Sequence, residues 1–414
     1  MMVPTPWTVT RNALIRGRGR LRRLAAWVKF HLSRRAVVLL YHRVAEPGTD
    51  PQLLAVSASN FASHLEVIRE AYRPVSLREL RKAIQQRSVP HHAVVVTFDD
   101  GYADNLTAAK PLLERYQVPG TVFVTTGAVE SAGAFWWDEL ASLLLGRTDL
   151  PPSLAVRIGG RLAEWKLTNP APNAQNSETD GTYRSDSFDP EHNGGRGRPP
   201  SNPVAALRPP QMLEGERPRE PRSKTAHESA AGTRWSVLSH CDPTLAHAAY
   251  RELCARVRPL NIEDRDAVLG SIRQQLDVER VPAGDARAMT RAELQDLARG
   301  GLVEIGAHTV NHVPLSAMVA DRQVEEITES RQTLEGIIRS PVDSFSYPFG
   351  EGADYSGETV EMVKRSGLSC ACANVEGVVT KATDPFQIPR FVVRDWDGPT
   401  FAAKLHNWFT RPRL

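Results

Sequence analysis

Cysteine is scarce. Four residues, Cys241, Cys254, Cys370 and Cys372, are spread over 414 positions with no Cys-x-x-Cys pair and no framework spacing. That excludes a disulfide scaffold and a cysteine-built metal site, and predicts reduced thiols. Long apolar runs are missing as well, so no transmembrane helix is expected. Arginines interrupt the first thirty-odd residues where the unbroken apolar core of an export signal would sit. A cytoplasmic protein is therefore expected. Acids are absent before Glu46, whereas nine cations lie between Arg11 and Arg35. Within that arm Leu21, Leu24, Ala25, Val28 and Leu32 fall on one helical face with cations between them. Two uses are open: peripheral contact with the inner face of an anionic membrane, or packing on the fold with the arginines in water. No nucleic-acid module follows the arm, so nucleic acid is not an expected partner.

What is present is a globular composition, 41% hydrophobic and 24% charged, with a formal net charge of only +3. Short β-branched runs alternate with helical patterns, which argues for a parallel sheet with helices outside it. Ala36 to Tyr41, Ala93 to Phe98, Thr121 to Thr125, the run into His308, Ser344 to Gly350, Leu368 to Ala373 and Ile388 to Val393 read as strands. About seven parallel strands fit an α/β fold of the distorted (β/α) barrel type. Capping-box patterns open helices at Ser76-x-x-Glu79 and Thr290-x-x-Glu293. Four regions follow. Residues 1–35 form the basic amphipathic arm, 36–147 the first part of the barrel, 148–285 an insertion and 286–414 the second part. Within the insertion, about 170–234 is rich in Pro, Gly, Ser, Asn and Arg and is expected to be disordered, whereas about 243–280 is helical.

Two stretches concentrate the chemistry. Thr97-Phe98-Asp99-Asp100-Gly101 ends an apolar strand on two carboxylates, and ligands of parallel α/β folds sit beyond the strand carboxyl ends. Asp-Asp-Gly is also a common turn. His308-Thr309-Val310-Asn311-His312 places two histidines at metal-ligand spacing at the end of another strand. The paired tryptophans Trp136 and Trp137 read as packing residues.

Together with Tyr347-Pro348-Phe349-Gly350, these stretches resemble the three ordered motifs of NodB-homology polysaccharide deacetylases, the fourth carbohydrate-esterase family. The resemblance covers about Ala36 to Arg394 outside the insertion. It implies that Asp100, His308 and His312 hold a divalent cation, Zn2+ first and Co2+, Ni2+ or Fe2+ as alternatives, and that Asp99 is the base. It also implies that the backbone N–H of Tyr347 holds the oxyanion. The family's third motif carries an arginine where this chain has Ser346, and Arg390, with Arg394 second, is the candidate replacement. The late Leu-x-His motif that supplies the family's acid is missing near the C-terminus. Leu40-Tyr41-His42 has that spacing at the start, as in the circularly permuted members that deacetylate poly-N-acetylglucosamine, which makes His42 the candidate acid. The implied activity is metal-dependent removal of N-acetyl groups from a polysaccharide, an oligosaccharide or a lipid-linked glycan. The alternative is a barrel that binds carbohydrate with little or no turnover.

Overall fold

The computed structural model describes residues 34–131, 133–168, 235–279 and 281–410. The basic arm ahead of Arg34 and the segment expected to be disordered, up to Arg234, lie outside the described residues. No described helix is long and apolar enough to cross a membrane.

Seven strands form the path of the central sheet, β1 Ala36–Tyr41, β2 Ala93–Phe98, β3 Gly120–Val124, β4 Val303–Ala307, β5 Ser344–Ser346, β6 Cys370–Cys372 and β7 Phe391–Val392, and a two-residue strand, Arg73–Pro74, pairs with β2 off that path. The seven run in the order β6-β5-β4-β3-β2-β1-β7, every neighbouring pair parallel. A parallel bridge between Cys372 and Ile388 joins the two ends of that order. The result is a distorted (β/α) barrel in which the first strand of the chain pairs with the last.

Successive side chains of a strand point to opposite faces, and that parity organises the molecule. Val37, Leu39 and Tyr41 of β1, Val94, Val96 and Phe98 of β2, and Val303, Ile305 and Ala307 of β4 share the main core beneath the outer helices. Their alternates Ala36, Val38, Ala93 and Val95 join Phe123, Cys370, Cys372 and Ile388 in a second cluster inside the barrel. Leu77, Leu80 and Ile84 of the helix Leu77–Gln85 close the floor of that cluster. Ser76 and Glu79 form the expected capping box at its start, and Thr290 and Glu293 do the same for Arg291–Ala298. The barrel is thus filled from its N-terminal end, leaving the carboxyl ends of the strands open.

A third core covers part of that open end. It joins the helix Trp136–Leu145, the hairpin Ser153–Ile158 and Arg161–Lys166, and the helices Leu245–Val257 and Ile262–Gln275. The last two helices lie within the stretch 243–280 that carries the helical pattern. The hairpin is an addition to it, turned by Gly159 and Gly160, both at positive φ (56° and 80°) as a tight primed turn requires.

Candidate active site

The interior parity that fills the barrel also points the candidate residues at its mouth. Continuing inward from Ala36, Val38 and Leu40 gives His42, and continuing from Ala93, Val95 and Thr97 gives Asp99. Asp100 escapes the alternation because its backbone turns into the left-handed region at φ 75°, followed by Gly101 at 86°. Two consecutive carboxylates thereby reach one cavity.

That cavity, about 330 Å³, is lined by His42, Asp99, Asp100, His308 and His312 together with Trp136, Trp137, Phe349, Arg258 and Arg394. Asp100 Oδ1 lies 3.2 Å from His312 Nε2 and 3.6 Å from His308 Nε2. Ligand atoms of a tetrahedral ion with bonds of about 2.1 Å stand about 3.4 Å apart, so the spacing suits one cation. Asp100 Oδ1 is buried with no hydrogen-bond partner, an acceptor costly to maintain without a ligand. His308 Nδ1 donates to the Ser346 carbonyl at 2.7 Å, which leaves Nε2 as a bare acceptor turned toward Asp100. Burial pushes both imidazoles down, His312 to about 3, so both are neutral and ready to ligate. Among the described residues this Asp-His-His group is the one set of three buried donors close enough to hold a metal ion.

Asp99 sits in a different environment. Burial alone would raise its carboxyl, but the Arg390 guanidinium grips it in a fork, Nη1 to Oδ1 and Nη2 to Oδ2 both at 2.7 Å, and holds it well below the usual range. Ser346 Oγ donates to Asp99 Oδ2 at 3.2 Å and accepts from Arg390 Nη2 at 2.8 Å. Of the two candidate arginines, Arg390 is therefore the one that reaches Asp99. Ser346 completes the contact rather than leaving a gap. Arg394 lines the cavity further out and donates to the carbonyls of Gln52 and Leu53. His42 is buried enough to have its imidazole pushed down, against the pull of Asp100 and Asp99.

Tyr347 departs from expectation. Its backbone N–H is committed to the Cys372 carbonyl at 3.2 Å in the β5–β6 ladder, its hydroxyl donates to Phe386 O, and its ring stacks on Tyr355. The N–H expected to hold the oxyanion thus lies in the sheet ladder in this structure.

The loop His308–His312 is strained, with Thr309 at φ 64° and His312 at 51°, and it is held from several sides. Glu326 accepts from Val310 N, Asn311 N and Asn311 Nδ2 at 2.7–2.9 Å, and Arg265 Nη2 donates to Asn311 O at 2.8 Å. Gly127 N donates to Val310 O, and a Cβ on Gly127 would lie 2.7 Å from that oxygen. Sequence reasoning missed Glu326 and Arg265, whose helical stretches carry no motif. Trp137 and Phe349 pack against the His312 ring at 4.9 and 4.7 Å, so the tryptophan pair packs as expected and also walls the cavity. Trp137 Nε1 donates to the Tyr102 hydroxyl, which donates to Asp138 Oδ2.

A family model described as polysaccharide deacetylase matches residues 86–147 and 274–371, the two stretches that carry the Asp and His motifs. Over those two stretches, about two fifths of the chain, the sequence matches the polysaccharide deacetylase family. A poly-β-1,6-N-acetyl-D-glucosamine N-deacetylase of Escherichia coli K12 is 34% identical over 85 residues, 20% of this chain and 13% of that one. The protein YxkH of Bacillus subtilis is 28% identical over 102 residues, 24% of this chain and 35% of its own. The matches thus span about a third or less of either relative. The Streptococcus pyogenes deacetylase PplD superposes with a TM-score of 0.49 at 14% identity, over 90% of this chain and 98% of that one. IcaB from Ammonifex degensii gives 0.47 at 15%, over 91% and 98%.

Proposed function

We propose that this chain is a polysaccharide deacetylase-family hydrolase that removes N-acetyl groups from an amino-sugar glycan and releases acetate. The observation that carries the reading is the convergence of Asp99, Asp100, His308, His312 and His42 on one cavity at the carboxyl ends of the barrel strands. Asp100, His308 and His312 would hold the cation, with Zn2+ the first choice for two imidazoles and a carboxylate, and Co2+, Ni2+ or Fe2+ as alternatives. Bound there, such an ion supplies Lewis-acid polarisation of the acetamide carbonyl and a more acidic water. Asp99, ionised at working pH because Arg390 pairs with it, takes the proton of the water that adds to the acetamide carbon. His42 in its protonated form delivers a proton to the sugar nitrogen as the C–N bond breaks, so that the amine rather than an amide anion departs. Trp136, Trp137 and Phe349 offer apolar faces to the sugar ring.

The E. coli relative makes poly-N-acetylglucosamine the first exopolysaccharide to test, with lipid-linked N-acetyl sugars second. Acetate release from such glycans by the Zn2+-loaded protein, lost in Asp99→Asn and reduced roughly 10²–10⁴-fold in His42→Ala, is the expected result. Cation binding without acetate release from any of them would favour the carbohydrate-binding barrel instead. For the arm ahead of Arg34 we propose peripheral contact with anionic membranes, tested by co-flotation with vesicles before and after its removal.

A further inference from the structure

The outer wall of the cavity is cationic in a way the deacetylation chemistry does not use. Three arginines line it: Arg251 and Arg258 from the helix Leu245–Val257 and its C-cap, and Arg394 just past β7. Arg251 pairs with Asp242 and Arg258 with Asp354. Arg394 has no carboxylate within ion-pair distance among the described residues. Its Nη1 is spent on two backbone carbonyls, and Nε and Nη2 make no hydrogen bond to the described residues. Burial lowers its pKa against the pull of Asp50, which lies beyond ion-pair distance, so the site leaves most of the cost of burying its charge uncompensated. The buried polar atoms left unpartnered on the other side chains of this wall, Arg258 Nε and Trp136 Nε1, are also donors. Of the remaining unpartnered atoms in the lining, Asp100 Oδ1 is the acceptor of the cation site, and His312 Nδ1 carries the ring proton when the neutral ring turns Nε2 toward Asp100, so it too is a donor. Asp99 and Asp100 aside, Glu351 is the one carboxylate in the lining, and it is exposed.

A wall whose unused capacity is donor-only, beside an unpaired guanidinium, is complementary to an anion. The planar fork of arginine suits the paired oxygens of a carboxylate or phosphate. Resting on the deacetylase reading, we propose that the cavity selects an N-acetylated sugar that also carries an anionic oxygen group, a phosphate ester or a carboxylate, which docks on Arg394. The reacting acetamide then lies inward at the Asp-His-His group while the anion stays at the rim, and Arg394 acts as a binding residue that sets substrate class.

The test is calorimetric titration of the Zn2+-loaded protein with two size-matched pairs of probes: N-acetylglucosamine against its 1-phosphate, and N-acetylchitotetraose against a hyaluronan tetrasaccharide. In one pair at least, the acidic member should bind about tenfold more tightly, the scale of one charge-assisted contact. The pair that shows it tells phosphate from carboxylate. The preference should shrink at about 0.5 M NaCl, collapse in Arg394→Gln and persist in Arg394→Lys. Equal affinity within both pairs, or a preference unchanged in a folded Arg394→Gln protein, would overturn the proposal. Should that variant not fold, the salt dependence of the wild-type preference decides. Because titration reads binding rather than turnover, absence of acetate release from every probe would sink the deacetylase reading separately.

Discussion

Asp99 and Asp100 are adjacent in sequence and opposite in environment. Arg390 neutralises the first; the second faces two imidazoles with an oxygen left over. Asp99→Asn should therefore retain the cation, seen by calorimetric titration, while acetate release falls; loss of the cation instead would mean that the two roles are exchanged. The same substitution leaves the Arg390 guanidinium buried without its counter-charge, so the unfolding temperature should drop as well. A different residue governs pH dependence. Burial raises Asp138 to about 7, although it accepts a hydrogen bond from Tyr102. The folded form then holds a proton that the unfolded chain has released, so the contribution of Asp138 to stability is greatest below about 3.8, falls as pH rises, and levels off above about 7. Asp138→Asn should flatten that slope and melt higher than wild type at about pH 8, with the two converging in acid. Thermal melts across pH that run parallel for the two proteins would contradict the assignment.

At the scale of elements, the strand-end loops carry the site. The acid and histidine motifs were legible because a β-branched run that stops on a charged pair has few other uses, and period-two alternation gives each residue its side of the sheet. The support of the second loop was not legible. Glu326 lies midway along the charged helix Ala320–Ile338, and only the fold brings its carboxylate to the amides of Val310 and Asn311, some fifteen residues earlier. Removing that carboxylate strands two backbone N–H groups beneath a strained Thr309 and frees the His312 ring. Glu326→Ala should weaken cation affinity by roughly 10–100-fold, the scale for losing an outer support of a metal ligand. Glu326→Gln, which keeps an acceptor for both amides, should recover most of it. Equal losses in the two variants would point to the charge of Glu326 rather than its grip on the loop. The hairpin at Gly159-Gly160 escaped the sequence for another reason: it packs on the insertion helices rather than on the barrel, so nothing in the strand alternation called for it.

For the whole molecule, the sequence separates a barrel from an insertion, but it does not say that the insertion helps to build the site. Its two helices were readable from their periodicity. What they face was not, because Arg258 and Arg265 look like any solvated helix arginine until Arg258 is found against the Phe349 ring and Arg265 against the Asn311 carbonyl. The same geometry bears on residues 170–233. The segments flanking them share one core, with Leu154, Val156 and Trp165 from before and Tyr250, Leu253, Leu269 and Ile272 from after. Trp165 Nε1 also donates to Glu252, and Gln275 bonds both the N–H and the carbonyl of Ala155. Those contacts hold the two flanks together without the intervening sequence, whose composition offers little apolar surface to bury. Replacing residues 170–233 with a short glycine–serine linker should therefore leave the unfolding temperature within a few degrees of wild type and cation affinity unchanged. A broadened or lost transition would make the replaced segment part of the core. An intact transition with lost cation binding would mean that it reaches the Asp-His-His group.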